Sequence, residues 1–283
     1  MKEIRTAPQM RSWTRAQRAE GATVAFVPTM GALHEGHLSL ATLAAEKADR
    51  VIVSIFLNPT QFGPDEDLGS YPRDLAGDIA RLQERGVDAV FIPSETEIYP
   101  PGASTWVVET DRSARLEGIA RPGHYRGVTT VVAKLLTIVE PDFLVLGQKD
   151  AQQVAVISRM VSDLLLPVEV VVGRTVRESD GLALSSRNAY LSGAERRQAT
   201  CLFEALQLAL RMVAEGEDSP EVVLDAMQKL IVEQPAARID YLAAVAPESF
   251  EPVGNLSDGA LFCVAVYIGT TRLIDNELAV REG

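Results

Sequence analysis

Cysteine is scarce in this chain. Cys201 and Cys263 stand far apart in apolar surroundings, with no CxxC spacing. That excludes a disulfide framework and a CxxC redox or zinc motif, and predicts two buried free thiols in a cytoplasmic protein. Positive charge is also in short supply: 27 Lys and Arg face 39 Asp and Glu, a net charge of −12. This argues against a nucleic-acid-binding surface and against polybasic membrane attachment, while a local basic pocket could still hold phosphates. No apolar run reaches the roughly 18 residues that a membrane helix needs. The opening residues, MKEIRTAPQMRSWTRAQRAEG, are too charged for a secretory signal. Repeats and low-complexity segments are absent as well.

What is present is ordinary globular material. The 283 residues, 47% hydrophobic and 23% charged, suit one large or two modest domains with ample core. From residue 23 to 172, strand-like and helix-like runs alternate. Strands are expected over 23–27, 51–57, 87–92, 143–146 and 168–172. Helices are expected over 11–20, from the turn at Gly36 to about Lys47, over 74–85 and 128–139, and from about Asp150 to Leu164. Residues 93–101 and 121–127 read as loops. Such alternation predicts an α/β, doubly wound parallel sheet, in which ligands bind outside the carboxyl ends of the strands. After Val172 the character changes. A polar segment, 177–188, precedes a long helix over 192–215, a second helix led by Pro220, and strands over 239–245, 261–268 and 273–280. The expected division is therefore 1–176 and 177–283, the second a smaller α+β domain.

The most chemically loaded stretch is FVPTMGALHEGHLSL, residues 26–40. Strand, glycine-bearing turn and helix start follow one another, which places backbone N–H groups and a helix dipole where an anion can sit. The spacing from Gly31 to Gly36 imitates a P-loop, but His37 and Leu38 stand where Lys and Ser or Thr are needed. The pair His34 and His37 is spaced i, i+3, so the HExxH zinc geometry fails too. A zinc site made of all three histidines, with His124, stays open at this point, as does a plain helix-capping turn.

Seven segments in order carry a family resemblance: PTMGALHEGHLSL, NPTQF, YPRDL, RPGHYRGVTTVVAKLL, PDFLVLGQKDAQQ, LALSSRN and RLIDN. With them the chain resembles the pantothenate synthetases, the pantoate–β-alanine ligases of coenzyme A biosynthesis, over essentially its whole length. The family belongs to the HIGH-type nucleotidylyl transferase superfamily, whose signature His34-Glu35-Gly36-His37 resembles. Ala32, Leu184 and Ala151 depart from the commoner Asn, Met and Tyr, and no polar group of the mechanism is lost with them.

The resemblance implies a Rossmann-like ATP- and pantoate-binding domain and a C-terminal domain that closes the active site. It implies a pantoyl adenylate made from pantoate and ATP, which β-alanine then attacks. Catalytic roles fall to His34, His37 and Lys149. ATP binding falls to Met30, Gly31, Ala32, Leu33, His34, Glu35, Gly36 and His37, then Gly147, Gln148, Lys149 and Asp150, then Val176, Leu184, Ser185, Ser186 and Arg187. Gln61 would bind pantoate and β-alanine, and Gln153 pantoate, since an amide can both donate and accept. Tyr71, Arg121 and Arg126 are set aside as weaker candidates. Mg²⁺ is expected with ATP, on protein ligands the sequence does not name, and a homodimer is implied. The alternative is a nucleotidylyltransferase of the same fold acting on a phosphorylated acceptor, which would not need the two glutamines.

Overall fold

A computed structural model describes residues 1–64 and 66–280. Asp65 and the last three residues of the expected second domain lie outside them. The chain forms two compact units. One is Met1–Gly147 with Val156–Arg174, and the other is Gln148–Ala155 with Thr175–Gly283. The stretch 148–155, expected in the first domain, thus groups with the second.

The first unit is built on a six-stranded parallel sheet. Its strands are β1 (Lys2–Ile4), β2 (Val24–Thr29), β3 (Arg50–Ile55), β4 (Ala89–Phe91), β5 (Phe143–Gly147) and β6 (Glu169–Gly173), in the spatial order β1-β4-β3-β2-β5-β6. The helices are α1 (Ala7–Ala19), α2 (Glu35–Lys47), α3 (Leu75–Glu84), α4 (Glu95–Ile98), α5 (Glu117–Ala120), α6 (His124–Val139) and α7 (Ala151–Asp163), the last beginning in the other unit. From β2 the chain winds outward to β3 and β4, then crosses back to β5 and β6. The strand order therefore reverses between β2 and β5, where a doubly wound sheet opens its ligand crevice. Val27, Val53 and Val145 from this sheet and Leu38, Ala41 and Ala44 from α2 are among the buried side chains of its core. Each such aliphatic side chain larger than alanine contributes roughly 1.5–3 kcal/mol.

Several boundaries differ from the expectation, for local reasons. β2 does not stop before Pro28 but runs on to Thr29. The carbonyls of Thr23 and Thr29 accept from Arg50 and Phe56, on the β3 side, while that of Val24 accepts from Asp142, on the β5 side. By alternation Pro28 faces β5, and pairing with β5 covers only Ala25 and Phe26. A missing N–H at Pro28 therefore costs no ladder bond. The expected loop 121–127 already contains the start of α6, led by Gly123 in the left-handed region, and the loop 93–101 contains α4. The edge strand β1, too short to show a period, went unpredicted.

The second unit pairs α8 (Gly193–Gln198), α9 (Cys201–Ala214) and α10 (Pro220–Val232) with an antiparallel sheet of β7 (Ala237–Val245), β8 (Ala260–Ile268) and β9 (Thr271–Ala279). The single long helix expected over 192–215 is divided at Ala199 and Thr200. The Thr200 hydroxyl takes the Arg197 carbonyl, and both residues tighten to ψ −21°. Leu202, Leu206, Met227, Phe262 and Val264 fill this unit's core. Cys201 and Cys263 are buried free thiols, and burial foremost, with the Glu204 charge, pushes the Cys201 thiol up to about 12.

One close approach in the first unit bears on function. A Cβ added to Gly127 in α6 would lie 2.3 Å from the Thr60 carbonyl oxygen and 2.7 Å from the Gln61 amide nitrogen. The helix is thus seated directly on the backbone of the 3₁₀ turn Pro59–Gln61 that follows β3. Gly127→Ala should lower stability by about 1–3 kcal/mol, read as a shifted urea midpoint. An unchanged midpoint would mean that the turn yields freely.

Candidate active site

The turn leaving β2 is held from beneath by one carboxylate. Gly31 (φ +88°) and Ala32 (φ +51°) lie in the left-handed region, which glycine adopts freely and alanine only at a cost. Fully buried Asp78 on α3 accepts from the amides of Ala32 and Leu33, each at 2.8 Å. Arg81 donates to the Leu33 carbonyl at 2.9 Å and to Asp78 at 3.4 Å. Burial nevertheless pushes the Asp78 carboxyl above its ordinary range, against these donors. Backbone amides that the sequence offers to an incoming anion are therefore taken by the protein's own anion.

The two histidines of the turn take up the remaining local bonds in a defined sense. His34 caps α2, and its Nδ1 accepts from the Gly36 amide at 3.2 Å; the His34 amide in turn donates to His37 Nδ1 at 3.4 Å. A backbone N–H can only donate, so both Nδ1 atoms are acceptors. Each neutral imidazole then carries its proton on Nε2. The rings lie 4.1 Å apart, at the carboxyl end of β2 beside the reversal point. Glu35 turns to the surface, paired with Arg85 at 2.6 Å.

Gln61 is buried, not a solvated loop residue, and its amide has a fixed polarity. Asn58 sets it. Asn58 Oδ1 accepts from the Thr60 amide (3.4 Å) and the Tyr99 hydroxyl (2.9 Å), while its Nδ2 donates to the Gly127 carbonyl (3.2 Å). Nδ2 also donates to Gln61 Oε1 at 3.0 Å, which turns Gln61 Nε2 toward the sulfur of Met30 at 3.0 Å. Both ends of the amide are thus oriented, the oxygen by Asn58 and the nitrogen against the Met30 sulfur. Neither Asn58 nor Tyr99 was singled out from sequence; the polar loop beginning at the end of β3 was the available signal.

Below Gln61 lies a charged support. His124 Nδ1 and Arg121 Nη2 approach the Gln61 carbonyl oxygen at 2.8 and 3.3 Å, and Arg121 Nη1 lies 3.1 Å from His124 Nε2. Arginine has no acceptor, so His124 Nε2 accepts and its Nδ1–H donates. Arg121 also pairs with Glu66 at 2.5 Å. His124 is thereby occupied, and no group of three His, Cys, Asp or Glu suited to a metal occurs among the described residues.

In the second unit, Gln148, Lys149 and Asp150 form a 3₁₀ turn directly after β5, with Lys149 Nζ 3.4 Å from Asp150. Gln153 lies half-buried in the first turn of α7. Residues 176–184 fold back on themselves: Arg177 bridges Ala183, and the Leu184 amide donates to the Val176 carbonyl at 3.0 Å. Ser185 then caps the turn Ser186–Tyr190, accepting from the Arg187 amide at 3.3 Å. Arg177 forks onto Asp275 and Glu277, so it anchors the loop rather than facing a ligand.

Burial first, and the facing Arg121 guanidinium second, hold the His124 pKa down at about 4, below the ordinary 6.5. The folded state therefore takes up this proton later than the unfolded chain. The stabilisation is complete above pH 6.5 and is lost as pH falls toward 4, at no more than about 1.4 kcal/mol per pH unit. Urea unfolding should show the stability advantage of the wild type over His124→Gln shrinking across that window. Parallel pH profiles would contradict the depressed pKa.

Comparison with known proteins bears on the family. A family model described as pantoate–β-alanine ligase matches residues 2–278. The pantothenate synthetase of Acidobacterium capsulatum is 53% identical over 281 residues, covering 98% of this chain and 94% of that protein. The one from Moorella thermoacetica is 49% identical over 276 residues, 98% of each. Among solved structures, the Thermus thermophilus pantothenate synthetase superposes with a TM-score of 0.93 at 46% identity, covering 98% of this chain and 99% of that one. A Francisella tularensis pantoate–β-alanine ligase, complexed with β-γ ATP and β-alanine, gives 0.81 at 36% identity, covering 98% and 97%. Match and superposition thus run through both units, and the chain belongs to the pantoate–β-alanine ligase family.

Proposed function

We infer that this chain condenses pantoate with β-alanine in coenzyme A biosynthesis, consuming ATP and releasing AMP and pyrophosphate through a pantoyl adenylate. The observation that carries the reading is the imidazole pair of His34 and His37, both with Nε2–H to donate, at the carboxyl end of β2. A pantoate carboxylate oxygen attacks the α-phosphorus of ATP, and the bond to pyrophosphate breaks. The β-alanine amine then attacks the acyl carbon, the bond to AMP breaks, and the amine gives up a proton. Neither step requires a protein nucleophile, in keeping with the inert, buried cysteines.

In this reading His34 and His37 donate to phosphate oxygens on which negative charge builds during the first step, where donors act most strongly. Lys149 and Arg187 add fixed positive charge, with Ser185 and Ser186 as further donors. Gln61 presents N–H to an oxygen of pantoate, and Gln153 supplies a second amide. Mg²⁺, when bound with ATP, would rest mainly on phosphate oxygens and water, its habit where few protein carboxylates converge. The enzyme is read as a cytoplasmic homodimer. Among the described residues no helix is long and apolar enough to cross a membrane, and both thiols are free. The transferase alternative is not carried forward, because the full-length relatives are ligases.

The test is exchange of labelled pyrophosphate into ATP. Pantoate alone should support it, and strict dependence on β-alanine would overturn the two-step order. His37→Ala should slow exchange by about 10²–10³-fold, with a smaller loss in amide formation from supplied pantoyl adenylate. Equal loss in both half-reactions would remove His37 from the adenylation step.

A further inference from the structure

The terminal motif RLIDN is left without a role by the chemistry above. It lies on β9, where two consecutive polar residues, Asp275 and Asn276, are both buried, at 3% and 4% exposure. Neighbours on a strand point to opposite faces, so a half-buried strand would leave one of them in water. Here each has a task. Asp275 accepts from both Arg177 Nη1 (2.5 Å) and Nη2 (3.1 Å), which fixes the base of the loop 176–184. Asn276 reaches the turn after β5. Its Nδ2 donates to the carbonyls of Gln148 (3.0 Å) and Lys149 (2.9 Å), and its Oδ1 accepts from Gln148 Nε2 at 3.1 Å.

Those partners fix the amide's orientation, because two backbone carbonyls can only accept. The carbonyls on both sides of the Lys149 Cα are thereby held, and the preceding side chain is held as well. Among the described residues no hydrogen bond from β9 restrains the Lys149 side chain, whose ammonium lies 3.4 Å from Asp150 Oδ1. The backbone under Lys149 is fixed, while its ammonium is paired with Asp150 and its charge also acts on Asp275.

We propose that Asn276 is a positioning residue for the adenylation step: its amide clamps the 148–149 carbonyls and so aims Lys149. The proposal rests on the assignment of Lys149 to the transferring phosphates. Alanine at 276 leaves both carbonyls without a donor and lets the turn shift, and a displacement of about 1 Å at a reacting group costs on the order of 10²-fold in rate. Aspartate, of equal size, keeps an acceptor but sets a carboxylate against two carbonyl oxygens. Serine keeps one donor.

The experiment is pantoate-dependent exchange of labelled pyrophosphate into ATP, measured with the full chain at saturating ATP. It compares wild type, Asn276→Ala, Asn276→Asp, Asn276→Ser and Lys149→Ala, and then Asn276→Ala and Asn276→Ser each combined with Lys149→Ala. The expected result is a loss of about 10²-fold for Ala and Asp, smaller for Ser, carried by the maximal rate more than by the KM for ATP. In the Lys149→Ala background the same changes at 276 should cost less than about 3-fold, because residues that act through one another are not additive. Equal factors in the two backgrounds, with Lys149→Ala itself impaired, would overturn the positioning role alone. Full exchange activity in Lys149→Ala would overturn the Lys149 assignment and this proposal with it. Should Asn276→Ala fail to fold, the Asn276→Ser pair decides on the same criterion.

Discussion

A buried carboxylate gripping two backbone amides is the contact on which the rest of the first unit's site depends. Asp78 holds Ala32 and Leu33 with both of its oxygens, and Arg81 ties the same turn by its carbonyl. That grip keeps the left-handed residues Gly31 and Ala32 in place, a conformation that costs an alanine roughly 1–2 kcal/mol. It also decides what can meet a phosphate. With a protein anion on these two amides, the proposed contacts to phosphate fall to side chains, the two imidazoles of the turn first among them.

Polarity, as well as position, is set by backbone partners in each unit. The Gly36 and His34 amides make acceptors of both Nδ1 atoms in the imidazole pair. The Thr60 amide and Gly127 carbonyl orient Asn58, which in turn orients Gln61. In the second unit the carbonyls of Gln148 and Lys149 orient Asn276. An ambiguous group, an amide or an imidazole, is in each case resolved by a peptide group that has only one option. Groups oriented in advance by the backbone need little reorganisation when charge develops.

Much of this was legible in the sequence, because it lies in local order. The parallel sheet followed from alternating apolar runs, and the HEGH turn from a strand, two glycines and a helix start. Segments such as NPTQF and LALSSRN carried the family resemblance. What stayed hidden is long-range. Asp78 is one acidic residue in an amphipathic helix, and nothing local says that it turns inward toward a turn 45 residues earlier. Asn276 likewise acts on carbonyls 127 and 128 residues away. Pro28 misled the reading of β2, because a proline ends a strand only where its missing N–H would have been paired. β1 is three residues long and has no period to detect.

The central claim is that the imidazole pair reaches phosphate through Nε2–H, and the tautomers can be observed directly. With only three histidines in the chain, ¹⁵N-histidine labelling and long-range ¹H–¹⁵N correlation at mildly alkaline pH can be assigned by single substitutions. The account predicts Nε2–H for His34 and His37, and the opposite tautomer, Nδ1–H, for His124. An Nδ1–H signal from either His34 or His37 would contradict it.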